Sequence, residues 1–288
     1  MRNFEFFEPT TIEEASLLLV KYEGKSQLLA GGTDLIIAMK DRALTPEYVI
    51  SLEKIPALEG IQYDATTGLR IGALTKMRTI EKDSHIRAHY TALAEGAGEV
   101  GSIQIRHLAT LGGNICHASP AADTVAALLV FDATVRIGSA DGERTVPIDQ
   151  FFTGPGKTVM KTGEIVTAFE CPPTMARTGS HYMKHKIREV MDLAFVGVAA
   201  SVTLNGSAIA DTKIGLASVA PTPIRATDAE ALIRGHTLTD ELLAQAGTAA
   251  SNQSRPISDL RSSAEHRREI VGVLTRRTIR TSVSRAQA

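Results

Sequence analysis

The stretch Ile105 to Asp123, IRHLATLGGNICHASPAAD, decides how this chain is to be read. Gly112 and Gly113 stand between the hydrogen-bonding side chains of Thr110 and Asn114, and Ser119 and Pro120 follow just ahead of an apolar run. Glycine tolerates positive φ and lets a ligand approach the backbone, so such a loop can aim amide N–H groups at an anion. Ser119 suits a helix N-cap and Pro120 the first helical position, which predicts a helix over 121–131 with Asp123 in its first turn. There its carboxylate could accept a ribose hydroxyl. A glycine pair alone is more often only a tight strand-to-helix turn.

A second copy of the chemistry changes that weighting. In Leu28 to Leu35, LLAGGTDL, an apolar strand-like run breaks at Gly31 and Gly32 and continues into Thr33 and Asp34. Two glycine turns, each with small hydrogen-bonding neighbours, suggest two jaws closing on one pyrophosphate. Neither jaw contains Lys or Arg, so oriented backbone dipoles would have to balance the phosphate charge. The pattern is not the G-x-G-x-x-G fingerprint of the doubly wound fold, nor the G-x-x-x-x-G-K-[ST] loop of ordinary ATPases.

AGGTDLI at Ala30 to Ile36, QIRHLATLGGNICHASPAAD from Gln104 and YMKHKIREVMDLAFVGVA from Tyr182 resemble the FAD-binding (medium) subunits of the molybdenum hydroxylases. This is the family of xanthine dehydrogenase, aerobic carbon monoxide dehydrogenase and the N-heterocycle dehydrogenases, and the likeness runs in order through nearly the whole chain. The resemblance implies an α+β protein: a two-lobed FAD-binding domain of the p-cresol methylhydroxylase/vanillyl-alcohol oxidase type, then an α+β C-terminal domain with a small antiparallel sheet and helices. It also implies non-covalent FAD in this chain, [2Fe-2S] clusters in a small partner subunit, and the molybdenum cofactor in a large one, the three forming a heterotrimer. Electrons would pass from the clusters to a terminal acceptor: NAD+, a quinone or oxygen.

Composition sets the outer limits. The 288 residues suffice for two domains, and 43% apolar with 22% charged residues is ordinary for a globular chain. A formal net charge of −1 provides no basic field for nucleic acid and no polybasic membrane anchor. The first residues, MRNFEFFEPTTIEE, are acidic where a signal peptide is apolar, and no apolar run approaches the roughly 18 residues of a spanning helix; a cytoplasmic protein is expected. With only Cys116 and Cys171, the chain has neither a disulfide framework nor the thiolates for an iron–sulfur cluster. The same count speaks against the 4-hydroxybenzoyl-CoA reductase branch, which carries an extra cluster loop. Cys116 is expected to be a small buried thiol.

Thr11 and Glu14 form a capping box ahead of a helix running to about Gly24. Strands at 27–30 and 48–52 flank a short helix at 35–39. From Ile61 the pattern turns to short strands (69–73), a helical run over 80–101, and strands at 134–137 and 165–170. Pro172-Pro173 and the polar run 174–180 mark a linker, dividing an FAD-binding domain over 1–173 (lobes about 1–55 and 56–173) from a C-terminal domain over 180–288. Beyond it, 193–204 and 208–220 predict a hairpin with Asn205-Gly206 as both central turn residues. Helices follow at 228–234, 240–251 and 264 to about 284. The last is rich in arginine (Arg261, Arg267, Arg268, Arg276, Arg277, Arg280, Arg285), either a solvated face or a partner surface.

Carried across residue by residue, the family's cofactor contacts fall on Leu28, Leu29, Ala30, Gly31, Gly32, Thr33, Asp34 and Leu35 as one jaw, and on Thr110, Leu111, Gly112, Gly113 and Asn114 as the other. They fall also on Asp123 at the ribose, on Ile165 or Val166 at the end of the first domain, and on Lys184 at the flavin ring. A cation there raises the flavin potential, whereas an exposed lysine in the basic run Lys184 to Arg188 is the ordinary alternative. Asp192 and Leu193 would shape the approach to the flavin, and His117 would sit at the rim. Two other readings stand beside the electron-transfer subunit: a stand-alone FAD-dependent oxidase of the same fold, and a non-catalytic nucleotide-binding or assembly protein.

Overall fold

The computed structural model describes residues 1–288. The first lobe is a parallel three-stranded sheet: β1 (Glu5–Phe7), helix α1 (Ile12–Lys21), β2 (Ser26–Leu29), helix α2 (Leu35–Lys40) and β3 (Tyr48–Ser51), in spatial order β1-β3-β2. Half of the capping box forms as expected, the Thr11 hydroxyl accepting from Glu14 N–H at 3.1 Å; the Glu14 carboxylate reaches one residue further back and accepts from Thr10 N–H at 2.9 Å rather than from the cap itself. The edge strand β1 escapes sequence reading because three residues carry no period.

The second lobe begins with β4 (Ile61–Asp64) and β5 (Gly68–Gly72) and continues through helices α3 (Met77–Lys82), α4 (Ser84–His89), α5 (Thr91–Gly98), α6 (Ile103–Arg106), α7 (Leu111–Cys116) and α8 (Val125–Val130). Strands β6 (Thr134–Ser139), β7 (Gly142–Pro147), β8 (Phe152–Gly154), β9 (Lys157–Thr158) and β10 (Ile165–Cys171) complete it. Five strands form an antiparallel sheet ordered β4-β5-β10-β6-β7. The single helical run expected over 80–101 is divided, because Asp83 turns back to cap α4, accepting from His85 and Ile86 N–H at 2.9 Å. The helix expected over 121–131 begins only at Val125. Ser119 Oγ accepts from Ala121 N–H within a turn, so Asp123 precedes the helix rather than lying in its first turn.

The last segment is a four-stranded sheet, β11 (Thr178–His185), β12 (Val196–Asn205), β13 (Ala208–Ala217) and β14 (Ile224–Arg225), backed by α9 (Thr227–Ile233), α10 (Asp240–Gln253) and α11 (Ala264–Gln287). In the β12–β13 hairpin, Asn205 pairs with Ala208, leaving Gly206 and Ser207 as the turn; Gly206 alone takes positive φ (61°). The turn is therefore one residue later than the Asn-Gly reading, a shift that accompanies a bulge at Thr203/Leu204.

Helix α8, VAALLV, is buried at all six positions, as a helix enclosed between layers must be. It packs onto β12 and β13 so closely that a Cβ on Gly215 would lie 2.5 Å from the Ala126 carbonyl oxygen. The apolar core of the second lobe thereby continues into Tyr182, Ala199 and Ala217 of the last sheet. Carboxylates complete the junction from the lobe side. Glu95 accepts from Tyr182 N–H (2.8 Å), His181 Nδ1 (2.8 Å) and the Arg285 guanidinium (2.7 Å), and Glu99 pairs with Lys186. His181 and Lys186 thus meet half-buried acids of the second lobe rather than standing as a solvated face, while Arg188 beyond them is exposed.

Candidate cofactor cleft

Between the lobes and the last sheet runs a cleft of about 940 Å³, at the upper end of the range for ligand sites. The first jaw forms one wall. Residues 30–34 join β2 to α2, with Gly32 at φ 71°. The N–H groups of Gly31, Gly32, Thr33, Asp34 and Leu35, five in succession, donate to no acceptor in the chain, and all five residues line the cleft. Backbone donors are seldom left unpaired; a consecutive run of them is an anion-binding concavity.

The second jaw works differently. Its amides are spent: Leu111 N–H donates to the Thr75 carbonyl (3.1 Å), Gly112 to Ala73 (2.7 Å), Asn114 to the Thr110 carbonyl (3.0 Å) and Gly113 to Thr110 Oγ1 (3.1 Å). Two matched sets of phosphate-binding amides, as the sequence suggested, are not what forms. Here the glycines permit close packing, since a Cβ on Gly112 would lie 2.8 Å from the Ala73 carbonyl oxygen. The polar groups this jaw offers are side chains. Asn114 Oδ1 accepts from the Thr124 hydroxyl at 2.7 Å, leaving the Asn114 NH2 without an acceptor in the chain. The two jaws touch directly, because a Cβ on Gly31 would stand 2.1 Å from the Leu108 carbonyl oxygen.

At the end of the cleft nearest the last sheet, Asp123 Oδ1 accepts from the Tyr182 hydroxyl (2.9 Å) and Oδ2 from Lys184 Nζ (2.9 Å), while Nζ also donates to the Glu99 carbonyl (3.2 Å). Burial pushes the Asp123 carboxyl up to about 6, with Lys184 and the hydrogen bonds opposing. Met191, Asp192 and Leu193 close this end, and Lys161, Thr162 and Glu164 line the other, beside β2 and α1.

Residues 2–174 match the family model described as the FAD binding domain in molybdopterin dehydrogenase, and residues 180–282 the CO dehydrogenase flavoprotein C-terminal domain. The chain belongs to this family. It is 32% identical over 282 residues to the xanthine dehydrogenase FAD-binding subunit of Escherichia coli O157:H7, covering 98% of this chain and 96% of that protein. It is 34% identical over 248 residues to the nicotinate dehydrogenase FAD-subunit of Eubacterium barkeri, covering 84% and 83%. A solved chain of carbon monoxide dehydrogenase from Hydrogenophaga pseudoflava superposes with a TM-score of 0.95 at 33% identity, covering 99% and 98%. Three relatives with three different substrates identify the FAD-binding subunit of a molybdenum hydroxylase without identifying what its complex oxidises.

In this FAD-binding subunit most residues expected at the cofactor do line the cleft: Leu28, Ala30 through Leu35, Thr110, Gly112, Gly113, Asn114, Asp123, Ile165 and Val166. Three do not. Leu29 faces the other side of β2 from Leu28, as alternation along a strand requires, and Leu111 turns into the core. Lys184 is only 2% exposed and sits behind Asp123; it is neither a surface lysine nor a cleft-lining cation. Cys116 and His117 are exposed by surface area and border the cleft, His117 at its rim; the residue at 116 is thus not enclosed in the core as expected, although its thiol is desolvated by its surroundings and pushed up to about 12. Sequence reading missed the Lys161 to Glu164 turn, although Gly163 (φ 83°) between polar residues just ahead of β10 was a usable signal.

Proposed function

We propose that this chain binds FAD non-covalently along the cleft, with the pyrophosphate on the unpaired amides of residues 31–35, and that it serves as the electron-transfer subunit of a molybdenum hydroxylase. The observation that carries the reading is those five consecutive free N–H groups. In their cleft Lys161 is the single Lys or Arg side chain, so dipoles rather than point charges would meet the phosphates. Asn114 and the Thr110 hydroxyl would add side-chain hydrogen bonds from the opposite wall, and Ile165 and Val166 would pack on the cofactor. When bound, the flavin supplies the exchange between one-electron carriers and a two-electron acceptor.

With two cysteines the chain cannot hold clusters of its own, so the one-electron donor would be a small [2Fe-2S] subunit and the substrate would be oxidised at molybdenum in a large one. We place the division between the cofactor domain (1–173) and the C-terminal domain (180–288) at the stretch 172–177, which separates β10 from β11 and forms no helix or strand; β11 itself begins at Thr178, inside the expected linker. A stand-alone oxidase would need a free base beside the ring, whereas Asp123 and Asp192 are both held by hydrogen bonds.

The test is to purify the chain alone and quantify flavin. The reading expects one FAD per chain, released in full by acid or heat, with FMN binding far more weakly. A colourless chain that takes up no FAD would refute it, and flavin retained after denaturation would move attention to His117.

A further inference from the structure

We infer that the loop 187–193, together with Ile103 beside it, is the surface on which the iron–sulfur subunit docks. The inference rests on the functional reading above and assigns it a place. The loop leaves β11 at His185 and rejoins β12 at Phe195, whose N–H donates to the His185 carbonyl at 3.0 Å. Inside it Asp192 and Arg188 hold the backbone, while the Glu189 side chain is exposed. Asp192 accepts from the amides of Ile187 (2.7 Å) and Arg188 (2.9 Å), and the Arg188 guanidinium donates to the Met191 carbonyl (2.9 Å). Met191, in the left-handed region at φ 58°, donates its N–H to the Gly101 carbonyl at 3.3 Å, which fixes the loop against the segment leading to α6.

So held, Ile187 is 71% exposed, Val190 56%, Met191 53%, Leu193 53% and neighbouring Ile103 53%. A loop whose backbone is pinned by Asp192 and Arg188 and which presents four large apolar side chains to solvent, interspersed with Arg188 and Glu189, displays the kind of polar-rimmed patch that marks an interaction site. The patch is continuous with the cleft, because Met191 and Leu193 line it together with Val100, Gly101 and Ile105.

Its occupant follows from electron supply and from charge. The chain's two cysteines cannot ligate a cluster, so the cluster arrives on another polypeptide, and electron transfer weakens so steeply with distance that this polypeptide must sit at the cleft. The cations along this edge have internal carboxylate partners: Lys184 pairs with Asp123, Lys186 with Glu99, and Arg188, although 68% exposed, lies 3.6 Å from Asp192 and next to the exposed Glu189. What is presented is therefore an aliphatic face suited to a protein surface, not a basic one suited to phosphates or anionic lipid. The basic surface lies elsewhere: Arg276, Arg277 and Arg280 of α11 border a separate recess of about 290 Å³ with Asp240.

The experiment uses the FAD-loaded chain and the cysteine-rich subunit that co-purifies with it at native expression, with affinity measured by calorimetry. The variant Ile187→Glu/Val190→Glu alters two residues that do not line the cleft; it should keep full FAD content and bind the iron–sulfur subunit at least tenfold more weakly. Arg276→Glu/Arg277→Glu should bind as wild type. Wild-type affinity in the loop variant, loss of its FAD, or loss of binding in the arginine variant would each overturn the assignment. A wild-type chain that binds no iron–sulfur subunit would overturn the functional reading, and the docking surface with it.

Discussion

Gly31 and the Leu108 carbonyl oxygen are in backbone contact: the 2.1 Å between that oxygen and a Cβ placed on residue 31 leaves no room for any side chain. This contact sets the spacing of the two walls, because Leu108 leads directly into Thr110, the cap of α7. Gly31→Ala should therefore push the second jaw away while leaving the chain folded, and lower FAD affinity at least tenfold, about 1.4 kcal/mol. Gly235→Ala is the control, a positive-φ glycine with open space around it and away from the cleft, for which only a backbone cost of about 1 kcal/mol in stability is expected. Equal FAD affinity in Gly31→Ala, measured by flavin fluorescence, would break the link between the contact and the site.

Gly113→Val acts on the opposite wall and by a different route. A Cβ there would lie 2.9 Å from Thr110 Oγ1, the atom that caps the helix through Gly113 N–H, so the variant should both narrow the cleft and weaken the cap. The cap alone accounts for about 1 kcal/mol of stability. Thr110→Val, which removes the cap and the hydroxyl offered to the cofactor without adding bulk at residue 113, should reproduce the fall in Tm; Thr110→Ser, which keeps both, should stay near wild type. If Gly113→Val lost no more FAD affinity than Thr110→Val, steric closure would not be needed to explain the loss.

Lys184 and Asp123 should behave as one unit. Removing the cation by Lys184→Met leaves a buried carboxylate unpaired, which costs about 3–5 kcal/mol, whereas Asp123→Asn/Lys184→Met restores much of it. The pair presents no net charge to the cleft, so the flavin potential in the double variant should move by less than the roughly 30 mV that corresponds to 1.4 kcal/mol in a two-electron couple. A shift well beyond that, seen in a redox titration of the loaded chain, would show that Lys184 acts on the ring directly.

The glycine pairs were legible because close backbone approach is a local demand, and glycine with small polar neighbours is its local signature. Which amides would remain free was not legible. The donors of Leu111 and Gly112 are taken by Thr75 and Ala73, far earlier in the chain, and no pattern within 110–114 records that pairing. Lys184 misled for the same reason: its carboxylate partner lies 61 residues away, so a lysine in a basic run could be read only as solvated or as reaching for the ring. The short polar strands β7, β8 and β9 lack the apolar alternation that exposes β10 and β12 to sequence reading. In Val196–Asn205 that regularity was strong enough to predict the strand but not its turn, because one bulge shifts the register.

Glu95 should make the junction between the second lobe and the last sheet sensitive to acid. Burial alone would raise its carboxyl, but His181, Arg285 and the Tyr182 amide outweigh burial and hold it below the usual range. A depressed carboxylate stabilises the fold above its unfolded pKa of about 4.3, and that stability is lost as pH falls through the lower folded value. Wild type should lose Tm between about pH 5 and pH 3 more steeply than Glu95→Gln, which starts lower at pH 7 and converges with wild type in acid. Parallel curves would mean that the three contacts do not depend on the charge.

The distribution of thiols leads to the strictest expectation. Cys171 is buried in the second lobe and Cys116 stands alone at the cleft; two such thiols cannot ligate a cluster, so on the proposed reading electrons from an organic substrate enter this chain only through metal centres held by other polypeptides. The purified, FAD-loaded chain should therefore leave purines, aldehydes and N-heterocycles untouched over hours, whatever dye is offered as acceptor. NADH should behave differently only where NAD+ is the natural acceptor, and slow dye reduction by NADH would then identify that acceptor without any partner present. Adding the cysteine-rich subunit and the molybdenum subunit should restore substrate turnover, with flavin reduction trailing cluster reduction in rapid mixing, since the proposed route takes electrons through the clusters before the flavin. Oxidation of an organic substrate by the chain alone, with iron and molybdenum shown to be absent, would mean that substrate meets the flavin directly. The cleft end closed by Met191, Asp192 and Leu193 would then be a substrate pocket rather than the rim of a docking face.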